Sequence, residues 1–219
     1  MKRLFIEAKY LETIELPLDL INELPEEIAI FSSVQFLDSL KGIKKQLEED
    51  GKKVLLFKPK HCQYDGQLLG CSIDKFNAKS FLYIGDGKFH PKALMIKNDA
   101  DVFSYNPFNK QYCKIVDKDI EQMQKKIKGG ILKFLVSDNI GVLISIKPGQ
   151  YEVKGAEKLR EKYPDKNFYF LMFDTLDFNS LQDFNFLDCY VNTACPRMID
   201  DWDKFDRPLV NVKDLLDLE

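Results

Sequence analysis

The sequence predicts an α/β protein of two similar units with parallel sheets flanked by helices. Three observations carry this expectation. Short apolar runs of strand length alternate with helical patterns along most of the chain, the rhythm of parallel sheets covered by helices. The same order of signals occurs twice. The chain has 219 residues, 45% of them hydrophobic, which suits one large domain or two small ones with an ordinary core.

Taken in order, Arg3 to Ala8 and Glu27 to Phe31 read as strands. Val34 to Asp50 reads as an amphipathic helix, because Leu37, Leu40, Ile43 and Leu47 recur at spacings of three and four. Gly51 stops it, and Lys53 to Phe57 is the next strand, followed by Phe81 to Ile84. A longer helical pattern covers Asp117 to Ser137, with Gly129-Gly130 weakening its middle. Ile140 to Ile146 reads as a strand, Val153 to Tyr163 as a helix and Phe168 to Phe173 as a strand, and the apolar run from Phe186 to Val191 closes the series.

The repeat lies in that order. Strand, glutamine, helix, strand and cysteine follow one another as Ile28–Phe31, Gln35, helix, Val54–Phe57 and Cys71, with a strand and Gly85 after them. The second pass is Val142–Ser145, Gln150, helix, Phe168–Phe173, Leu187–Val191 and Cys195. The expected units are residues 1–125, with the strand over 3–8 as a seam, and residues 126–219.

Charge and composition exclude several classes. With 32 basic and 35 acidic residues the net charge is -3, so no general basic surface exists and direct nucleic-acid binding is not expected. Lys125, Lys126 and Lys128 read as a solvated helix face. No apolar run approaches the ~20 residues needed to span a membrane. The start lacks the length and cleavage site of a secretory signal, and five cysteines form no regular framework, so a cytoplasmic protein with reduced thiols is expected.

Four segments place unusual residues just after strands, the edge at which open α/β sheets bind ligands. The loop from Lys60 to Cys71 holds Cys62 and Cys71 with two glycines. Gly85-Asp86-Gly87-Lys88-Phe89-His90-Pro91 joins two glycines, which permit close backbone approach, to a histidine able to donate a hydrogen bond or a proton. Lys147-Pro148-Gly149-Gln150 is placed at a helix start, where free amides hold anions. Asn192-Thr193-Ala194-Cys195-Pro196-Arg197 sets a thiol past a strand, with an arginine suited to a carboxylate. Each also has a plain reading: tight turns for Gly85 and Gly87, a surface turn for His90, helix initiation for Gln150, and core thiols for Cys113 and Cys189. With only two histidines, a thiolate-bound iron–sulfur cluster is the metal site that the residue types favour.

These motifs coincide with one family. Gly66 to Cys71, Tyr83 to Pro91, Lys147 to Gln150 and Val191 to Arg197, with Ile199-Asp200-Asp201 and Arg207-Pro208-Leu209 after them, resemble the diphthamide synthase family, the 2-(3-amino-3-carboxypropyl)histidine synthases. The resemblance runs from about residue 3 to the end. It implies the first step of diphthamide biosynthesis: a radical reaction in which a reduced [4Fe-4S] cluster cleaves S-adenosylmethionine. The 3-amino-3-carboxypropyl group then passes to a histidine of translation elongation factor 2. An electron donor is also required.

By the same resemblance, Cys71 and Cys195 are cluster ligands. From position and charge, the adenosylmethionine site is expected to include Gly85, Gly87 and His90 from one unit and Gln150 and Arg197 from the other, with Arg197 on the carboxylate. Family enzymes have three α/β units, each giving one cysteine, and this chain resembles the second and third. The third ligand is left to Cys62 or to a partner, either another copy of the chain in a homodimer or a protein carrying the missing unit; loss of the transfer activity is the other alternative. Two further readings stand beside the enzyme: a non-catalytic iron–sulfur subunit supporting a partner synthase, and a flavodoxin-like nucleotide-binding module without iron.

Overall fold

A computed structural model describes residues 6–71 and 74–218. The chain forms two compact units that divide between Ile120 and Glu121.

In the first unit, α1 (Leu18–Glu23) precedes β1 (Glu27–Ser32), whose residues after Glu27 are all buried. A 3-10 turn over Val34–Ser39 leads into α2 (Leu40–Glu49), so the helix expected from Val34 begins in tighter form. Gly51 ends that segment at φ +80°, the left-handed region that glycine enters without Cβ strain. Then come β2 (Lys53–Leu55), β3 (Ser80–Ile84), α3 (Phe89–Lys97), β4 (Asp101–Asn106) and β5 (Gln111–Ile115). The sheet order is β2-β1-β3-β4-β5; the first four strands run parallel, and β5 returns antiparallel to β4.

Strand alternation divides the core between the two sheet faces. Ile28, Ile30, Leu82, Ile84, Phe103 and Tyr105 pack with Ile43 and Leu47 of α2. Ala29, Phe31, Phe81, Tyr83 and Val102 pack on the other face with Leu94 of α3. Burial of such side chains contributes roughly 1.5–3 kcal/mol each, so the face of α2 alone explains why it docks there.

The second unit takes most of α4 (Lys118–Leu135), then β6 (Asn139–Ser145), α5 (Val153–Lys162), β7 (Asn167–Phe173), β8 (Cys189–Asn192), β9 (Leu209–Asn211) and α6 (Val212–Leu216). Its sheet is wholly parallel, in the order β7-β6-β8-β9. Ile140, Val142, Ile144, Cys189, Val191 and Val210 face Phe134, Ala156 and Leu159, while Leu143 and Tyr190 face Leu181, Leu187 and Phe205. Gly130 does not break α4. A Cβ there would stand 2.5 Å from the Leu209 carbonyl oxygen, so the glycine lets the helix lie against the start of β9.

The parallel strands of both units follow one order: the second, the first, the third and the fourth along the chain. In each, the connections diverge between the first and third strands, β1/β3 and β6/β8. That crevice, at the carboxyl edge, is where such sheets bind ligands.

Several expectations need correction. Of the strand over Arg3 to Ala8, residues 3–5 lie outside the described residues, and Ile6 to Ala8 enter no strand pairing; Ile6 is 84% exposed and has no sheet to bury it. Phe89–Lys97 is a helix, with Pro91 in its first turn, where a missing N–H costs no hydrogen bond. The β4–β5 hairpin, α1 and β9 were not anticipated.

Candidate functional site

In the first unit, the path to Cys71 is set by β1. Ser32, the last residue of β1, donates its N–H to the Gly66 carbonyl at 2.8 Å and accepts from Leu68 N–H at 2.8 Å. Gln67 thereby forms a parallel bridge beside Ser32, and the chain leaves the sheet at its carboxyl edge towards Cys71, which is half-buried. The Gln67 side-chain oxygen accepts from the N–H groups of Gln63 and Tyr64, folding the loop back on itself. Cys62 sits inside that fold, buried rather than exposed at the loop surface. The Ser32 hydroxyl is buried without a hydrogen-bond partner, a condition that costs roughly 1–3 kcal/mol in a dry interior.

The Gly85–His90 segment reaches the same edge. Gly85 donates to the Tyr105 carbonyl, and a Cβ on Gly85 would lie 2.6 Å from the Tyr83 hydroxyl. Gly87 adopts φ +68° and, with Ser104, Asn106 and Tyr112, lines a cavity of about 280 Å³. His90, in the first turn of α3, stacks on Tyr83 with centroids 5.4 Å apart and planes 11° apart. Burial pushes the Tyr83 phenol up to about 12, against the opposing hydrogen bond with Ser33. The two loops meet, since any Cβ on Gly70 would overlap the Phe89 ring. Cys71 and His90 therefore belong to one neighbourhood.

In the second unit, the Thr193 N–H and hydroxyl both donate to the Leu143 carbonyl of β6, at 3.1 and 2.9 Å, which holds the Cys195 loop over the β6/β8 crevice. Cys195 is half-buried and precedes a 3-10 helix over Pro196–Lys204, with Pro196 at its first position. Arg197 is buried, and its Nε and Nη2 donate to Oδ2 of Asp200 at 2.8 and 2.6 Å. An internal carboxylate therefore occupies the Nε/Nη2 edge of this guanidinium. Gln150 is exposed and closes a turn onto the Lys147 carbonyl; α5 starts only at Val153. That helix start carries its own anion, the Glu152 carboxylate, which accepts from Gly155 N–H at 3.0 Å.

Cys189 lies in the core of the second unit, and burial pushes its thiol up to about 11, so it stays protonated at neutral pH. All five cysteines are thiols, and within either unit no three His, Cys, Asp or Glu side chains are grouped to hold a metal, among the described residues. The donors at the two carboxyl edges are half-buried cysteines, soft ligands of the kind that iron–sulfur clusters take. They fit such a cluster in kind; neither unit alone supplies three.

Sequence reading assigns no role to Ser32 or Asn211, nor to Tyr83 and Asn192, which lie within the quoted motifs. A signal was present: Ser32, Asn106, Ser145, Asn192 and Asn211 each end a strand at the carboxyl edge, where an apolar run turns polar.

Comparison with known proteins then decides the family. A sequence profile described as "Putative diphthamide synthesis protein" matches residues 3–216. The chain belongs to this diphthamide synthesis family. A 2-(3-amino-3-carboxypropyl)histidine synthase of Pyrococcus horikoshii is 29% identical over 218 residues, covering 96% of this chain and 62% of that relative. A synthase of the same description from Methanocaldococcus jannaschii is 32% identical over 148 residues, covering 65% of this chain and 43% of the relative. The crystal structure of Dph2 from Pyrococcus horikoshii with a 4Fe-4S cluster superposes with a TM-score of 0.78 at 27% identity, covering 90% of this chain and 59% of that one. The chain thus spans about three fifths of the Pyrococcus family members, and the α/β fold with parallel sheets is theirs. No helix among the described residues is long and apolar enough to cross a membrane.

Proposed function

We propose that the chain acts in the first step of diphthamide biosynthesis, the iron–sulfur-dependent transfer of the 3-amino-3-carboxypropyl group from S-adenosylmethionine to a histidine of translation elongation factor 2. The observation that carries this reading is the family match along nearly the whole chain, together with the half-buried thiols at the sheet edges. When bound and reduced, the cluster would supply the electron that breaks the bond between sulfur and the transferred group.

The chain's own residues would bind and orient. Cys71 and Cys195 are the proposed ligands, with Cys62 as the third from the loop it shares with Cys71. Gly85 and Gly87 would let the nucleotide part approach the backbone, and His90, held flat against Tyr83, would offer it a fixed ring face. Gln150 is exposed enough to reach a ligand. Arg197 would hold a substrate carboxylate from the Nη1 side or in exchange for Asp200, which binds its Nε/Nη2 edge and orders the turn after Cys195.

A second reading rests on the donor count. Because no three candidate ligands are grouped within either unit among the described residues, the chain would instead serve as a non-catalytic subunit that supports a partner's cluster, the partner or a second copy completing the ligand set. Anaerobic incubation of the reconstituted chain with reductant, carboxyl-labelled S-adenosylmethionine and elongation factor 2 separates the two. Label on the factor from this chain alone supports the transferase. Label that appears or rises only when this chain is added to a partner synthase that gives little or none by itself supports the subunit. No label from this chain alone and no gain in the mixture rejects both, and a flavin spectrum in the purified protein would point to a flavodoxin-like module.

A further inference from the structure

We infer that Asn192 and Asn211 form a buried amide clamp whose task is to present the Cys195 thiol, making them positioning residues for the iron–sulfur site; this rests on the proposed role of Cys195 as a ligand. Asn192 ends β8 and Asn211 ends β9, side by side in register at the carboxyl edge. Both are buried, at 1% and 6% exposure, in strands whose other residues are apolar or aromatic apart from Cys189. A buried primary amide is costly unless its donors and acceptor are used.

Here they are used on one short stretch of backbone. The Asn192 Oδ1 accepts from Ala194 N–H at 2.9 Å. Its Nδ2 donates to the Cys195 carbonyl at 2.8 Å and to the Asn211 Oδ1 at 2.8 Å. The Asn211 Nδ2 donates to the Pro196 carbonyl at 3.2 Å. Three successive residues, Ala194, Cys195 and Pro196, are each held at a backbone atom, and the Cys195 carbonyl takes a second bond from Met198 N–H at 2.9 Å. The side chain of Cys195 is left half-exposed on a fixed backbone. An apolar pair would fill the same strand positions without orienting anything, so the amides have a purpose beyond packing. Asn211 contacts this loop across 15 residues of sequence, which a merely local turn would not need.

The test uses Asn192→Asp, nearly isosteric, which keeps the acceptor and removes both donated bonds, and Asn211→Ala, which removes one of the two bonds donated by the Asn192 amide and the bond to the Pro196 carbonyl. In the iron-free full chain, the alkylation rates of Cys195 and Cys71 are compared by mass spectrometry; after anaerobic reconstitution, iron affinity and the reduced-state paramagnetic spectrum are recorded. The clamp predicts a severalfold change in the Cys195 rate with Cys71 unchanged. It also predicts an altered spectrum and iron affinity lower by about tenfold, as for other groups that orient metal ligands. An unchanged Cys195 rate with an unchanged spectrum overturns it, and so does an equal change at both thiols with a lowered melting temperature, the mark of general loosening. If Asn192→Asp does not fold, Asn211→Ala decides. Should wild-type protein take up no iron, the ligand reading fails while the alkylation comparison still tests the clamp.

Discussion

The cysteines of this chain differ by where each backbone position points, and Cys113, within β5, is half-buried at the margin of the first unit's core rather than inside it. Cys189 lies within β8 and faces the core, so burial keeps its thiol protonated. Cys71 and Cys195 lie past strand ends, where side chains leave the sheet half-exposed. That division was legible in the sequence, because a residue inside an apolar strand alternates into the core and one beyond it does not. The state of Cys62 was not legible: it is buried in a loop folded back by bonds from the Gln63 and Tyr64 N–H groups to the Gln67 side chain, which no local pattern announces. Nor was the occupation of Arg197 by Asp200, although the spacing of three residues in a helical turn allows it. Replacement of Cys62 by serine is expected to lower iron content and change the reduced-state paramagnetic spectrum. A wild-type spectrum and iron content in that variant would move the third ligand to another chain.

Among elements, the long periodic ones were readable and the short ones were not. α2 and α4 carry several turns of amphipathic pattern, and β1 and β6 are continuous apolar runs of the kind buried on both faces. α1 has six residues and β9 three, too few to show a period. α3 was hidden by Pro91, which reads as a helix breaker unless it falls in the first turn. The glycine pair of α4 separates two effects that sequence alone confounds. A Cβ at Gly129 meets nothing within 4 Å, so Gly129→Ala should stabilise the protein by roughly 0.5–1 kcal/mol through helix propensity. A Cβ at Gly130 would overlap the Leu209 carbonyl, so Gly130→Ala should destabilise by about 1–3 kcal/mol from crowding, less that same gain. Thermal melts of the two variants should shift in opposite directions; a rise in both would mean that the contact between α4 and β9 is loose.

For the whole molecule, the repeated strand order explains why unusual residues gather at the carboxyl edges. Each unit opens the crevice between its first and third strands at that edge, and the cysteine loops are tied to the first strand, through Ser32 in one unit and Leu143 in the other. The polar residues that end the strands were the unread part of this signal. They sit where the apolar run stops, and some of their partners lie far along the chain, as Pro196 does from Asn211. The central claim is that Cys71 and Cys195 hold iron. Its most direct measurement is the iron and acid-labile sulfide of anaerobically reconstituted full chain, wild type beside the Cys71→Ala, Cys195→Ala double variant, with folding of both verified by circular dichroism. The account predicts a brown wild-type protein with about four irons per assembled cluster and a folded variant with almost none. Equal iron in the two proteins would contradict it.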